Sequence, residues 1–261
     1  MLAERPTLEE HERRQPDWDQ KEMPFTEHLR ELRNRLFVCI VTVAVIAVLA
    51  LWPANRLIPL MTHAYFPGIT LNAFGPADAV WAIFKLAIYI AIVLGLPVIL
   101  YQLWMFVVPA VNPKTRRAVY WYVAPSLLLA LAGIAFAHFF VLPRVIAGLL
   151  FITGSVAKAT FGIESTINLV LLLFLAFALV FQTPVVMLLL ARIGVVNSGM
   201  LRKYRKYIGF GILVGGAVLA PDGSPVTMML IAGPMYVLFE MSIWIIVFME
   251  KSWKREAASE A

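Results

Sequence analysis

Polar and apolar residues come in blocks along this chain. Six apolar runs predict six transmembrane helices, because a bilayer core takes about 20 consecutive apolar residues to cross as helix. The runs cover 36–51, 79–108, 119–142, 166–191, 207–220 and 226–248. The first ends at Trp52-Pro53, an interfacial aromatic followed by a helix stop, so 53–78 reads as a loop. That loop is apolar enough for part of it to lie in the interface or cap the bundle. The second run exceeds what a bilayer needs and must tilt or bend, with Pro97 as the place. The third stops at Pro143-Arg144, leaving 143–165 as a second loop, and the fourth holds Gln182-Thr183-Pro184 in its middle. The fifth, at ~1.5 Å per residue, spans only ~21 Å and calls for a thinned bilayer; its Gly211 and Gly215 form a small-xxx-small pattern suited to close helix approach. The sixth is interrupted at Gly233-Pro234.

Composition narrows this to an all-α polytopic membrane bundle. Of 261 residues 61% are hydrophobic and 15% charged, with a mean hydropathy of +0.81, against about 25% charge in a soluble domain. Residues 1–24 read as a mobile tail, 25–250 as the membrane domain and 251–261 as a second tail. No cleavable signal peptide is expected ahead of the first run, which serves as the insertion signal. The net charge of +6 mostly records orientation. Loops after the second, fourth and sixth runs carry eleven Lys/Arg, whereas the alternate loops carry three, which puts both termini in the cytoplasm. With no nucleic-acid motif beside it, this charge does not argue for DNA or RNA binding.

Catalytic chemistry is not in view. The four histidines fall in four segments, Cys39 is the sole cysteine, and HExxH, Walker and GxSxG motifs are lacking. No enzyme, metal site or cofactor is expected. His138 reads as a packed or interfacial residue, and Lys85 as a side chain snorkelling to the outer interface.

Polar residues beside or inside the apolar runs are the candidates. The stretch EHLRELRNRL at 27–36 reads as a helix capped by Thr26, with Leu29, Leu32 and Leu36 on one face. Glu27 and Glu31 then lie one turn apart beside Arg30, Arg33 and Arg35, two carboxylates at a membrane doorstep. Glu31 with Arg35 also fits an ordinary i,i+4 pair worth a few tenths of a kcal/mol. Gln182 and Glu240 need partners, since an unpaired polar group in an apolar medium costs a few kcal/mol. Glu240 fits either interfacial placement or a functional role. Gln182 fits satisfaction by a neighbouring helix or by a polar residue of another subunit.

An ordered set of stretches resembles the TatC family, the multispanning receptor subunit of the twin-arginine protein translocase. They are HLRELRNRL at 28–36, YQLWMFVVPA at 101–110, FQTPV at 181–185, LRKYRKY at 201–207 and PMYVLFE at 234–240. The resemblance covers roughly residues 25–250. It implies a receptor in the cytoplasmic membrane of a bacterium, archaeon or organelle that binds the paired arginines of a folded cargo's signal peptide at its cytoplasmic face. It further implies single-span partner subunits of the TatA/TatB type, homo- and hetero-oligomers in membrane lipid, and export driven by the proton-motive force. By motif position Glu31 takes an arginine contact, Arg33 and Arg35 shape the site, and Phe106 lines the groove for the signal's apolar side. Thr115 stands where the family commonly has a second glutamate, so Thr115 itself, Glu27 or an acidic residue of the tail is expected to substitute. Gln182 stands where some members have Glu and, with Glu240, is expected to contact a partner subunit. Asp222 reads as a turn former. The competing reading is a small secondary transporter or channel, which needs a polar cluster at mid-bilayer that the runs hardly supply.

Overall fold

The computed structural model describes residues 25–111, 119–156, 160–192, 194–220 and 223–259, and the described chain is almost wholly helical. In order the helices are α1 (Phe25–Tyr65), α2 (Asp78–Val111), α3 (Val119–Phe136), a π-helical turn (Ala137–Val141), α4 (Leu142–Val156), α5 (Ile163–Val180), α6 (Thr183–Arg192), α7 (Ser198–Leu219) and α8 (Pro225–Ser259). Two-residue strands β1 (Leu71–Asn72) and β2 (Phe161–Gly162) pair in parallel and tie the loop after α1 to the entry of α5. Among the described residues five stretches are long and apolar enough to cross a membrane: Leu29–Tyr65, Asp78–Val107, Tyr122–Phe151, Ile163–Arg192 and Pro225–Glu250. The fifth predicted run forms the C-terminal part of α7, and its apolar stretch falls short of that length.

Three boundaries differ from the sequence reading, each at a proline. Helix α1 does not stop at Trp52-Pro53; it continues through Pro53 and Pro59 to Tyr65. A proline inside a helix forfeits one backbone bond, but here Ala54 and Ile58 are buried against Ala82, Leu86 and Ile167, and that packing outweighs the loss. The third run does not end at Pro143 either. The chain widens into the π-turn just before the proline and continues as α4. A widened turn relieves the clash of the proline ring with the preceding turn, and Arg144 Nη1 donates to the Phe140 carbonyl at 2.7 Å. Finally, α8 runs unbroken through Pro234.

Small residues set the closest helix approaches. Ala50, Ala54, Ala82 and Ala87 let α1 lie against α2. At Gly133 a Cβ would meet the Phe177 carbonyl oxygen at 2.4 Å, so α3 and α5 touch backbone to backbone. In α7 the tight contact is at Gly216, where a Cβ would come 2.9 Å from Ala232 Cβ and 3.0 Å from the Met228 carbonyl. Gly211 of the predicted small-residue pair has open space instead, and Gly215 only brushes Met235.

The largest core joins Phe66, the π-turn, α4, α5 and Ile231 of α8 through Val141, Leu142, Val145, Leu173 and Phe177. A second joins the end of α2 to α3 and α6, and a smaller one packs Leu201 of α7 on Phe239, Ile243 and Ile246 of α8.

Candidate functional site

Helix α1 carries Glu31 and Arg35 one turn apart, so their pairing follows from helix geometry alone. Arg35 Nε donates to Glu31 Oε1 at 3.0 Å, and its Nη2 donates to the same oxygen. What the periodicity does not show is the third member: Arg35 Nη1 donates to Gln102 Oε1 of α2 at 3.2 Å. Arg35 thus pins α1 to α2 while holding the carboxylate. The two side chains are 29% (Glu31) and 18% (Arg35) exposed, and both arginine bonds fall on Oε1, which leaves the carboxylate acceptor capacity toward solvent.

Among the sequence candidates, Arg33 is exposed beside this pair and Phe106 sits half-buried one turn beyond Gln102 on α2. Glu27 is in the first turn of α1, ahead of the described side chains. Thr115, Asp222 and the tail 1–24 lie outside the described residues.

Gln182 and Glu240 are not brought to this site. The break between α5 and α6 at Phe181-Gln182 aims the Gln182 amide at α3, where Nε2 donates to the Ser126 carbonyl at 2.9 Å. Pro184, at the second position of α6, fits a first helical turn, where its missing N–H costs nothing. Trp104 Nε1 donates to Ser126 Oγ at 2.9 Å, Trp104 stacks on Tyr122 with centroids 5.2 Å apart, and Arg192 Nη1 donates to Tyr122 Oη at 3.2 Å. Trp104, Ser126, Tyr122 and Gln182 form a polar knot of neutral groups between α2, α3 and the α5–α6 break, with the exposed Arg192 at its edge. Of the two sequence alternatives for Gln182, a neighbouring helix of the same chain satisfies its amide.

Glu240 has an in-chain partner too. Both its oxygens accept from Arg205 of α7, through Nε and Nη2, with 17% of the Glu240 side chain and 49% of Arg205 exposed.

Lys85 does not simply snorkel. It donates to Glu164 in the first turn of α5 at 2.6 Å, with each side chain 35% exposed. His138 bonds through Nδ1 to the Tyr65 hydroxyl and packs edge-on to Phe139. Glu250 of α8 accepts from Ser198 N at 2.8 Å and Ser198 Oγ at 2.6 Å, and Asn197 Oδ1 accepts from Met200 N at 2.7 Å, which together cap α7. Sequence reasoning missed Gln102, Ser126, Glu164 and Glu250. Glu164 had a signal: read as the end of an outer loop, it lies on the side of the membrane that Lys85 faces.

Among the described residues no group of three or more His, Cys, Asp or Glu is placed to hold a metal. The site is a charged surface: one carboxylate pre-oriented by a guanidinium, at the junction of two long helices.

Residues 27–234 match the family model described as Sec-independent protein translocase protein (TatC). The chain is similar to the Sec-independent protein translocase protein TatC of Aquifex aeolicus, 33% identical over 85% of this chain and 94% of that protein. It is also similar to TatC of Escherichia coli K12, at 35% over 85% of this chain and 87% of that protein. Bacillus subtilis TatCy is 34% identical over 86% and 89%. Among solved structures, the crystal structure of the twin arginine translocase receptor TatC in DDM superposes with a TM-score of 0.77 at 32% identity, covering 84% of this chain and 99% of that one.

Proposed function

Because this membrane protein belongs to the TatC family of Sec-independent protein translocase components, we propose that it is the receptor subunit that recognises twin-arginine signal peptides of folded cargo at the junction of α1 and α2. Glu31 receives a signal arginine, Arg35 and Gln102 hold Glu31 in place, Arg33 sets the charge around it, and Phe106 borders the apolar part of the signal. The observation that carries this reading is the Glu31–Arg35–Gln102 arrangement: a half-exposed carboxylate whose guanidinium partner is itself braced on the next helix. A carboxylate so held loses little freedom when a second guanidinium arrives and offers it the oxygen that Arg35 leaves unused.

The chain crosses the membrane six times with both termini cytoplasmic, a reading supported by the distribution of Lys and Arg between alternate loops. It works by binding and assembly rather than catalysis, with single-span subunits as partners and the proton-motive force as the drive. Thr115, Glu27 or an acidic residue of the tail supplies the polar contact to the second arginine. Gln182 keeps its amide oxygen for a partner subunit, and Glu240 meets one through the rim of its pair with Arg205. The transporter reading gains no observation, because the polar knot of Trp104, Ser126 and Gln182 is bonded within the chain.

The test is binding of a labelled Arg-Arg signal peptide and its Lys-Lys twin to the purified protein in nanodiscs. Lysine keeps the charge and loses the fork, so a preference for Arg-Arg isolates guanidinium recognition. Glu31→Ala is expected to abolish the preference while the protein stays inserted and folded. Undiminished binding to Glu31→Ala removes Glu31 from the site.

A further inference from the structure

The first three turns of α7 hold the most concentrated exposed charge among the described residues. Arg202, Lys203, Arg205 and Lys206 are all exposed. Arg205 is committed to Glu240, whereas Arg202, Lys203 and Lys206 pair with no described acidic residue, and Lys203 lies over the Tyr204 ring at 5.9 Å.

Their depth is the unusual feature. Ser198, at the start of α7, is bonded to Glu250, where the apolar stretch of α8 ends. From that level α7 descends ~12 Å to Lys206 at ~1.5 Å per residue. The Arg205–Glu240 pair lies ~15 Å along α8 from Glu250 by the same rise. Over that depth α8 exposes Met241, Trp244, Ile245 and Phe248, side chains suited to lipid tails. Three uncompensated cations therefore sit beside an apolar wall, where a bare charge is costly and draws polar groups inward.

Below the charges the same helix face changes character. At i,i+4 spacing Arg202 and Lys206 lead to Phe210, and Lys203 leads to Tyr207, with Tyr207 74% and Phe210 69% exposed. The next turn opens at Gly211, where a Cβ would meet no neighbouring side chain or packed helix within 4 Å. Cation, interfacial aromatic and apolar notch in that order match phosphate, glycerol and acyl chain. An acidic peptide or a nucleic acid has no counterpart for the Tyr207, Phe210 and Gly211 portion.

We propose that the face of α7 bearing Arg202, Lys203 and Lys206 binds the headgroup phosphate of an anionic phospholipid, with Tyr207 and Phe210 along its glycerol and acyl chain. The site is separate from the Glu31 surface.

The experiment is native mass spectrometry of the delipidated full-length protein in detergent, titrated with phosphatidylglycerol or phosphatidylcholine. The first phosphatidylglycerol is expected to bind about tenfold tighter than phosphatidylcholine, given the stabilisation that each basic residue contributes at an anionic surface. The R202Q/K203Q/K206Q variant is expected to lose that preference, and the charge-retaining R202K/K203R/K206R variant to keep it. Soluble glycerol phosphate is expected not to displace the lipid. The proposal is overturned if the glutamine variant keeps the preference, if the charge-retaining variant loses it, or if glycerol phosphate competes as well as the lipid, which would make this a site for free anions. An acidic peptide that displaces the lipid more effectively than phosphatidylglycerol itself would overturn it in favour of a protein partner.

Discussion

Gln102 and Trp104 are two residues apart on α2, yet they serve opposite surroundings. Trp104 is buried, and its indole N–H ends on Ser126 in a knot of neutral groups completed by Gln182. Gln102 is half-buried and reaches outward to Arg35 and, through it, Glu31. Inside the bundle neutral donors and acceptors saturate one another, because an orphan there costs about 1–3 kcal/mol and a charge costs more. At the rim, water or lipid headgroups screen the charge, so a carboxylate can remain with capacity to spare. One helix thus closes a buried polar knot on one side and braces a half-exposed charge pair on the other.

The strongest way to break this contrast is on the inner side. Gly133→Ala puts a Cβ 2.4 Å from the Phe177 carbonyl oxygen, a backbone atom that cannot rotate away, and forces α3 from α5. The expected loss is about 3 kcal/mol, read as failure to recover monodisperse protein after detergent extraction and as a lowered unfolding midpoint. Next in size is Trp104→Phe, which strands the Ser126 hydroxyl in a buried setting. It should cost about 1–3 kcal/mol by thermal unfolding in detergent, and an effect below half of that would show that the knot is not fully desolvated. Gln182→Leu should cost about 1 kcal/mol, since the Ser126 carbonyl loses one donor of a neutral bond.

The rim should behave differently under the same assay. Glu31→Ala and Arg35→Ala are each expected to change stability by a few tenths of a kcal/mol while signal-peptide binding collapses. A stability loss comparable to that of Trp104→Phe would mean that the pair is structural and would erase the distinction. Smallest of all is Lys85–Glu164, half-exposed and joining α2 to α5. A double-mutant cycle with Lys85→Met and Glu164→Gln should give a coupling of about 0.5 kcal/mol that shrinks in high salt.

Legibility in the sequence followed the range of the interactions. The Glu31–Arg35 pair was readable because i,i+4 neighbours meet in any helix, and the need of Gln182 and Glu240 for partners was readable from their apolar surroundings. Their actual partners, Ser126 and Arg205, were not, since each bond joins separate helices. The ends of α1 and α3 were misjudged for a related reason. Proline marks a local penalty, whereas the buried contacts of Ala54 and Ile58, and the π-turn before Pro143, are gains or adjustments set by neighbouring helices.

By itself the sequence determined that this chain lives in a membrane as an all-helical bundle, which segments are apolar, and where charge collects along it. Those properties follow from composition and from periodicity within single helices. Only the tertiary structure decided that Gln102 braces Arg35, that Trp104, Ser126 and Gln182 close one knot, that Lys85 finds Glu164, and that Gly133 and Gly216 rather than Gly211 are the points of closest approach. Each depends on how helices distant in sequence are offset and rotated against one another, and the packing of the whole bundle sets that arrangement.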